Sequence, residues 1–134
     1  MEKIANYVKE FLNSNDIKFL YIEQDLEARF EFGFLAGNSQ VKVLIDIDEQ
    51  REFVVAKGMP VETIKSLEKI WPIMNQCNAK NMFVKIQVDP QNGELKFSMP
   101  CLAMGGAINQ TMVATLIVTL INTMKDCIPQ LLES

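Results

Sequence analysis

Between Phe97 and Met124 the chain carries no charged side chain, a run of 28 positions (124 − 97 + 1). All 30 of its Lys, Arg, Asp and Glu residues (13 + 17) fall in the other 106 positions (134 − 28). Overlapping the end of the run, Asn109 to Ile128 repeats apolar residues on a helical period. On a helical wheel, Thr111, Thr115, Thr119, Asn122 and Asp126 occupy an arc of roughly 80°. Met112, Val113, Leu116, Ile117, Val118, Leu120, Ile121, Met124 and Ile128 fill most of the rest. A helix on a single sheet needs a stripe only somewhat wider than about 100°. The surplus must be covered by other parts of the same domain or by a partner.

The run does not read as a membrane span. Pro100, Gly105-Gly106, Asn109-Gln110, Thr115, Thr119 and Asn122 interrupt it. Its longest strongly apolar part, Met112 to Ile121, has about ten residues, half of what a span needs. The chain length fits one domain, residues 1–134, which buries roughly 70% of the surface exposed on unfolding. The net charge of −4 argues against nucleic acid, because binding there rests on clustered Lys and Arg. It argues equally against anionic membrane surfaces. Cys77, Cys101 and Cys127 are odd in number and contain no CxxC pair, so they suggest neither a disulfide framework nor a zinc site. Free thiols in a reducing cytosol are the expected state. Glu2 and Lys3 lead straight into an amphipathic pattern, unlike a secretory signal.

Periodicity then orders the elements. Ile4, Tyr7, Val8, Phe11 and Leu12 share one helical face, and Asn13-Ser14-Asn15-Asp16 ends that helix. A short strand over 17–22 follows. Ala28, Phe30, Phe32 and Phe34 alternate with polar residues, as do Val41, Val43, Ile45 and Ile47, while Leu44 breaks the polar face. Each pattern predicts a strand with one buried face. Gly37-Asn38-Ser39 turns between them, and residues 52–57 add a fourth strand. Pro60 predicts a helix start, with Val61, Ile64, Leu67, Ile70, Trp71 and Met74 on its apolar face. Pro72 inside that helix predicts a kink or break. A hairpin from Met82 turns on Asp89-Pro90-Gln91-Asn92-Gly93 and ends at Pro100. The expected class is α+β with an antiparallel sheet, in the order α-β-β-β-β-α-β-β-α.

No constellation reads as a catalytic site. His is absent, and the carboxylates fall on strand wet faces, turns and helix surfaces. Asp46, Asp48 and Glu49 resemble the spacing of a hard-cation site, but further ligands are missing and a solvated turn is the better reading. Gly105-Gly106 before a helix could face an anion, yet no Lys or Arg lies nearby. No cofactor and no metal are expected. The thiols lie in apolar surroundings and should be unreactive. The eight Met residues, Met99, Met104, Met112 and Met124 among them, fit an ordinary core or an adaptable binding surface. The candidate partner or dimer surface comprises Trp71, Met112, Leu116, Val118 and Ile121.

The stretch MPVETIKSLEKIWPIMNQCNAKNMFVKIQVDPQNGELKF, Met59 to Phe97, sets a proline before a helix. It then gives an Asn-rich segment (Met74-Asn75-Gln76-Cys77-Asn78), a strand, an Asp-x-x-Asn-Gly turn and a second strand. This order resembles the YbjN-like bacterial sensory transduction regulators over nearly the whole chain. Their fold in turn resembles that of type III secretion chaperones. The resemblance implies a cytoplasmic, non-enzymatic protein-binding or regulatory module that is a homodimer and has an unknown protein client. It transfers no catalytic residue. A small-molecule-binding domain or an unrecognised enzyme is the alternative.

Overall fold

A computed structural model describes residues 3–25, 27–102 and 107–132. The elements are α1 (Lys3–Ser14), β1 (Leu20–Gln24), β2 (Glu27–Ala36), β3 (Ser39–Asp48), β4 (Phe53–Pro60), α2 (Leu67–Lys80), β5 (Lys85–Val88), β6 (Leu95–Leu102) and α3 (Gln110–Leu132). This is the order and class that the periodicity predicts. The six strands form one antiparallel sheet, ordered β1-β2-β3-β4-β6-β5. The first four strands form a meander. The chain then crosses through α2 to the far edge and returns as β6 between β4 and β5.

One face of this sheet and the inner faces of all three helices make a single apolar core. Ala28, Phe30 and Phe32 of β2, Val41, Val43, Ile45 and Ile47 of β3, and Phe97 of β6 are all buried in it. Phe30 is fully enclosed, with Phe19 and Tyr21 at ring-centroid distances of 5.3 and 4.8 Å. Burying side chains of this size contributes roughly 1.5–3 kcal/mol each. The β2–β3 hairpin needs only Gly37-Asn38 between the paired Ala36 and Ser39. Gly37 has φ 63°, which suits the hairpin turn that takes glycine first.

Four expectations about boundaries need correction. β4 continues to Pro60, which lies opposite Val41, and α2 begins at Leu67, so Pro60 ends a strand. The stretch between them is drawn to the β5–β6 turn instead, where the Ile64 N–H donates to the Gly93 carbonyl at 2.7 Å. Helix α2 is not broken at Pro72 and runs through it to Lys80. Strand β6 does not stop at Pro100, which lies opposite Val55. There β6 has already passed Ser98, the last residue paired with β5, so its outer side lacks a strand neighbour. Such positions tolerate proline. Finally, β5 starts at Lys85, leaving Met82 and Phe83 on the surface.

The broad apolar arc of α3 is mostly explained by the core. Val113, Leu116, Ile117, Leu120, Met124, Cys127, Ile128 and Leu131 are buried. The helix is long and apolar enough to cross a membrane by length and composition. Its hydropathy has another use here, because the sheet, α1 and α2 all pack against it. The Asn109 side chain caps its start, accepting from the Met112 N–H at 2.9 Å, an N-cap contact worth about 1 kcal/mol.

Candidate functional site

All three helices lie on one face of the sheet, and among the described residues no element covers the other face. Strand alternation fixes what points there. Across the middle it carries Arg29, Asp46 and Lys57. Arg29 Nη2 donates to Asp46 Oδ2 at 3.0 Å, and Lys57 Nζ reaches the same oxygen at 3.3 Å. Burial works against the Asp46 charge. The hydrogen bonds and charges of Arg29 and Lys57 outweigh it and hold the carboxyl below the usual carboxylate range. Leu44, opposite Glu31 and Lys57 in register, is buried on this face between the two long side chains.

On one side of the charged row lies a groove of about 530 Å³, bordered by Ile22, Glu27, Arg51, Phe53 and Val55. Its three cations (Arg29, Arg51, Lys57) balance its three anions (Glu27, Asp46, Asp48); Arg29 and Lys57 pair with Asp46, and Arg51 pairs with Asp48. Asp48 pairs with Arg51 and accepts its backbone N–H at 3.1 Å. On the other side lies a depression of about 560 Å³. Gly33 is on its floor, and Leu20, Leu35 and Val61 stand at its rim. These three are 57%, 62% and 68% exposed. Gly33 brings no side chain to this floor, and a Cβ there would lie 3.3 Å from the Val41 carbonyl oxygen.

The two edges of the sheet differ. At the β5 edge, the Asn78 amide occupies both polar groups of Ile86: Oδ1 accepts its N–H at 3.2 Å and Nδ2 donates to its carbonyl at 3.4 Å. A side chain thus takes the place of another strand. Strand β1 is the opposite edge and has no strand beyond it among the described residues. Its Leu20 and Ile22 project onto the uncovered face.

The suspected carboxylate cluster is divided among other tasks. Asp46 holds Arg29 and Lys57, and Asp48 closes the β3–β4 turn. Glu49 accepts the N–H groups of Ile4 (3.0 Å) and Ala5 (2.9 Å) at the start of α1. Among the described residues no group of three potential ligands converges on a metal position. Met104 and Gly105-Gly106 lie outside the described residues.

The five suspected surface residues do not share one surface. Leu116 is buried in the core. Val118 is exposed and Ile121 half-buried, on the flank of α3 turned away from α2. Met112 is half-buried near the start of α3, and Trp71 is exposed on α2. The features that sequence reasoning missed are the Gly33 depression and the Asn78 edge cover. A glycine interrupting the polar face of β2 was the available signal for the first. An Asn-rich helix end beside a short strand was the signal for the second.

No family model matches the chain, and no curated protein matches it. Solved structures do. YbjN, a candidate transcription regulator from E. coli, superposes with a TM-score of 0.65 at 15% identity, over 94% of this chain and 89% of that one. A chain of the HopA1–SchA chaperone–effector complex superposes with a TM-score of 0.59 at 12% identity, over 94% and 93%. The chain therefore has the fold of the YbjN-like regulators and of type III secretion chaperones, as the Met59–Phe97 pattern implies.

Proposed function

We propose that this chain is a non-catalytic protein-binding module, a regulator or chaperone-like adaptor of the cytoplasm that acts as a homodimer. The observation that carries the reading is the asymmetry of the sheet. One edge is covered by Asn78. The other, β1, borders an uncovered face with three exposed apolar residues around a glycine-floored depression. A client segment in extended form pairs with β1 and sets one apolar side chain over Gly33, a recurring mode of peptide recognition. Likeness to a chain of a chaperone–effector complex supports this use of the fold. In the neighbouring groove all three cations are already paired with Asp46 or Asp48, which favours a binding face over a reaction centre.

The test is affinity capture from the source cell, identification of the captured protein by mass, and hydrogen exchange of the reconstituted complex. The expected result is protection of β1 amides and loss of capture by Leu35→Asp, which leaves the melting temperature unchanged because Leu35 is exposed. Protection confined to the helices, or capture indifferent to Leu35→Asp, overturns the proposed face. Sedimentation at tens of micromolar protein tests the dimer, and a species of one chain mass retires that part.

A further inference from the structure

Cys77 on α2 and Cys127 on α3 are 50 positions apart in sequence (127 − 77), yet the fold brings them together. Both are buried and both are free thiols. Asn81 bridges them. Its Nδ2 lies 2.9 Å from the Cys77 carbonyl oxygen and 3.6 Å from the Cys127 Sγ. Its backbone N–H donates to the same Cys77 carbonyl at 3.0 Å, and its Oδ1 accepts from Thr123 Oγ1 at 3.3 Å. The ion pair Lys80–Asp126, at 3.1 Å, closes the solvent side. Helices α2 and α3 thus meet around Cys77 and Cys127, joined by an Asn81 side chain that contacts the Cys77 carbonyl and the Cys127 sulfur.

We propose that Cys77 and Cys127 are a latent redox pair, which closes to a disulfide between α2 and α3 when the chain meets a small-molecule disulfide. One protein thiolate attacks a sulfur of the small disulfide. That S–S bond breaks, a mixed disulfide forms on the protein, and the first small thiol departs with the electron pair. The second protein thiolate attacks the protein sulfur of the mixed disulfide and displaces the second small thiol. Two protein thiols are oxidised and one disulfide is reduced to two thiols. The two protons lost by the protein end on the departing sulfurs.

The pair is slow by construction. Burial pushes the Cys127 thiol up, and the neighbouring Cys77 and Asp126 push it further; thiolate, not thiol, is the attacking species. Oxidation therefore waits for the end of α2 to loosen around Asn81. The closed form then joins two helices across a long loop, the geometry in which a cross-link most restricts the unfolded chain.

The experiment is incubation of the whole protein with oxidised glutathione at mildly alkaline pH. The readouts are intact mass, peptide mapping and thermal melting without reductant. The expected product has lost two hydrogens, contains a Cys77–Cys127 peptide, runs faster on a non-reducing gel and melts higher than the reduced protein. Cys101→Ser gives the same product. Cys77→Ala and Cys127→Ala yield at most a mixed disulfide. Asn81→Ala speeds closure. Should either alanine variant fail to fold, peptide mapping of the wild type decides alone. Retention of all three thiols after prolonged exposure overturns the proposal. So does a cross-link that uses Cys101, or an oxidised form that melts lower.

Discussion

Asp46 is held by two cations on a face that water reaches, and that arrangement has a pH signature. Its carboxyl lies below the ordinary value of 3.8. A carboxyl depressed by folding contributes stability that is complete above its unfolded value and lost as pH falls through its folded value. The contribution is thus full above the ordinary carboxylate range and is lost as pH falls below it. Its size is modest, because all three partners are partly exposed and screened. Asp46→Asn should cost about 1 kcal/mol at neutral pH and flatten the acid limb of the stability curve, measured by denaturant midpoints across pH. An unchanged acid limb would mean that the cluster does not couple to folding. The faces of β2 allow a sharper test. Phe32 is buried, so Phe32→Ala should cost roughly 3–5 kcal/mol, whereas Glu31→Ala should change stability by less than about 0.5 kcal/mol. At this scale the sequence was readable wherever alternation was clean. Phe30, Phe32, Val43 and Ile45 take the predicted faces. The bridge from Cys77 to Cys127 was not readable, because nothing local in either segment signals a neighbour 50 positions away.

Elements were legible in kind but not in extent. The largest boundary shift has a long-range cause. The helix start moved from Pro60 to Leu67 because β3 holds Pro60 in the sheet and Gly93 holds Ile64. Neither contact belongs to the local window. Gly93 has φ 74°, and a Cβ there would lie 2.3 Å from the Ile64 carbonyl oxygen, so this tie depends on glycine. Helix α1 shows the same dependence from the other side. The N–H groups of Ile4 and Ala5 in its first turn are met by Glu49 from the β3–β4 turn, which supplies both acceptor oxygens. A carboxylate at a helix N-terminus satisfies orphan donors and complements the dipole. Glu49→Ala should therefore destabilise the protein by about 1–2 kcal/mol, with hydrogen exchange rising first in α1. Glu49→Gln, which keeps one acceptor, should lose roughly half as much. Equal melting of wild type and Glu49→Ala would show the cap to be dispensable.

For the whole molecule, the order of elements was legible and the distribution of open surface was not. Most of the surplus of α3 is taken up by a core that draws on all three helices and the sheet, leaving Val118 exposed, and the far face of the sheet and its β1 edge stay open as well. Which edge is open depends on Asn78, whose role appears only once α2 lies beside β5. An exposed strand edge is a template for further pairing, and proteins cover or blunt such edges. Asn78→Ala removes the cover and leaves the Ile86 N–H and carbonyl without their partner. The direct cost should be about 1–2 kcal/mol, the usual penalty for stranding hydrogen-bonding groups. A second effect separates edge protection from simple loss of a bond. The variant should self-associate more strongly with rising concentration, measured by light scattering, and Ile86→Pro in the same background should suppress that association by removing the edge donor. If Asn78→Ala only lowers the melting temperature and stays as monodisperse as the parent, Asn78 merely fastens α2 to β5. The contrast between the two edges would then lose its force, and with it the reason for assigning the client to β1.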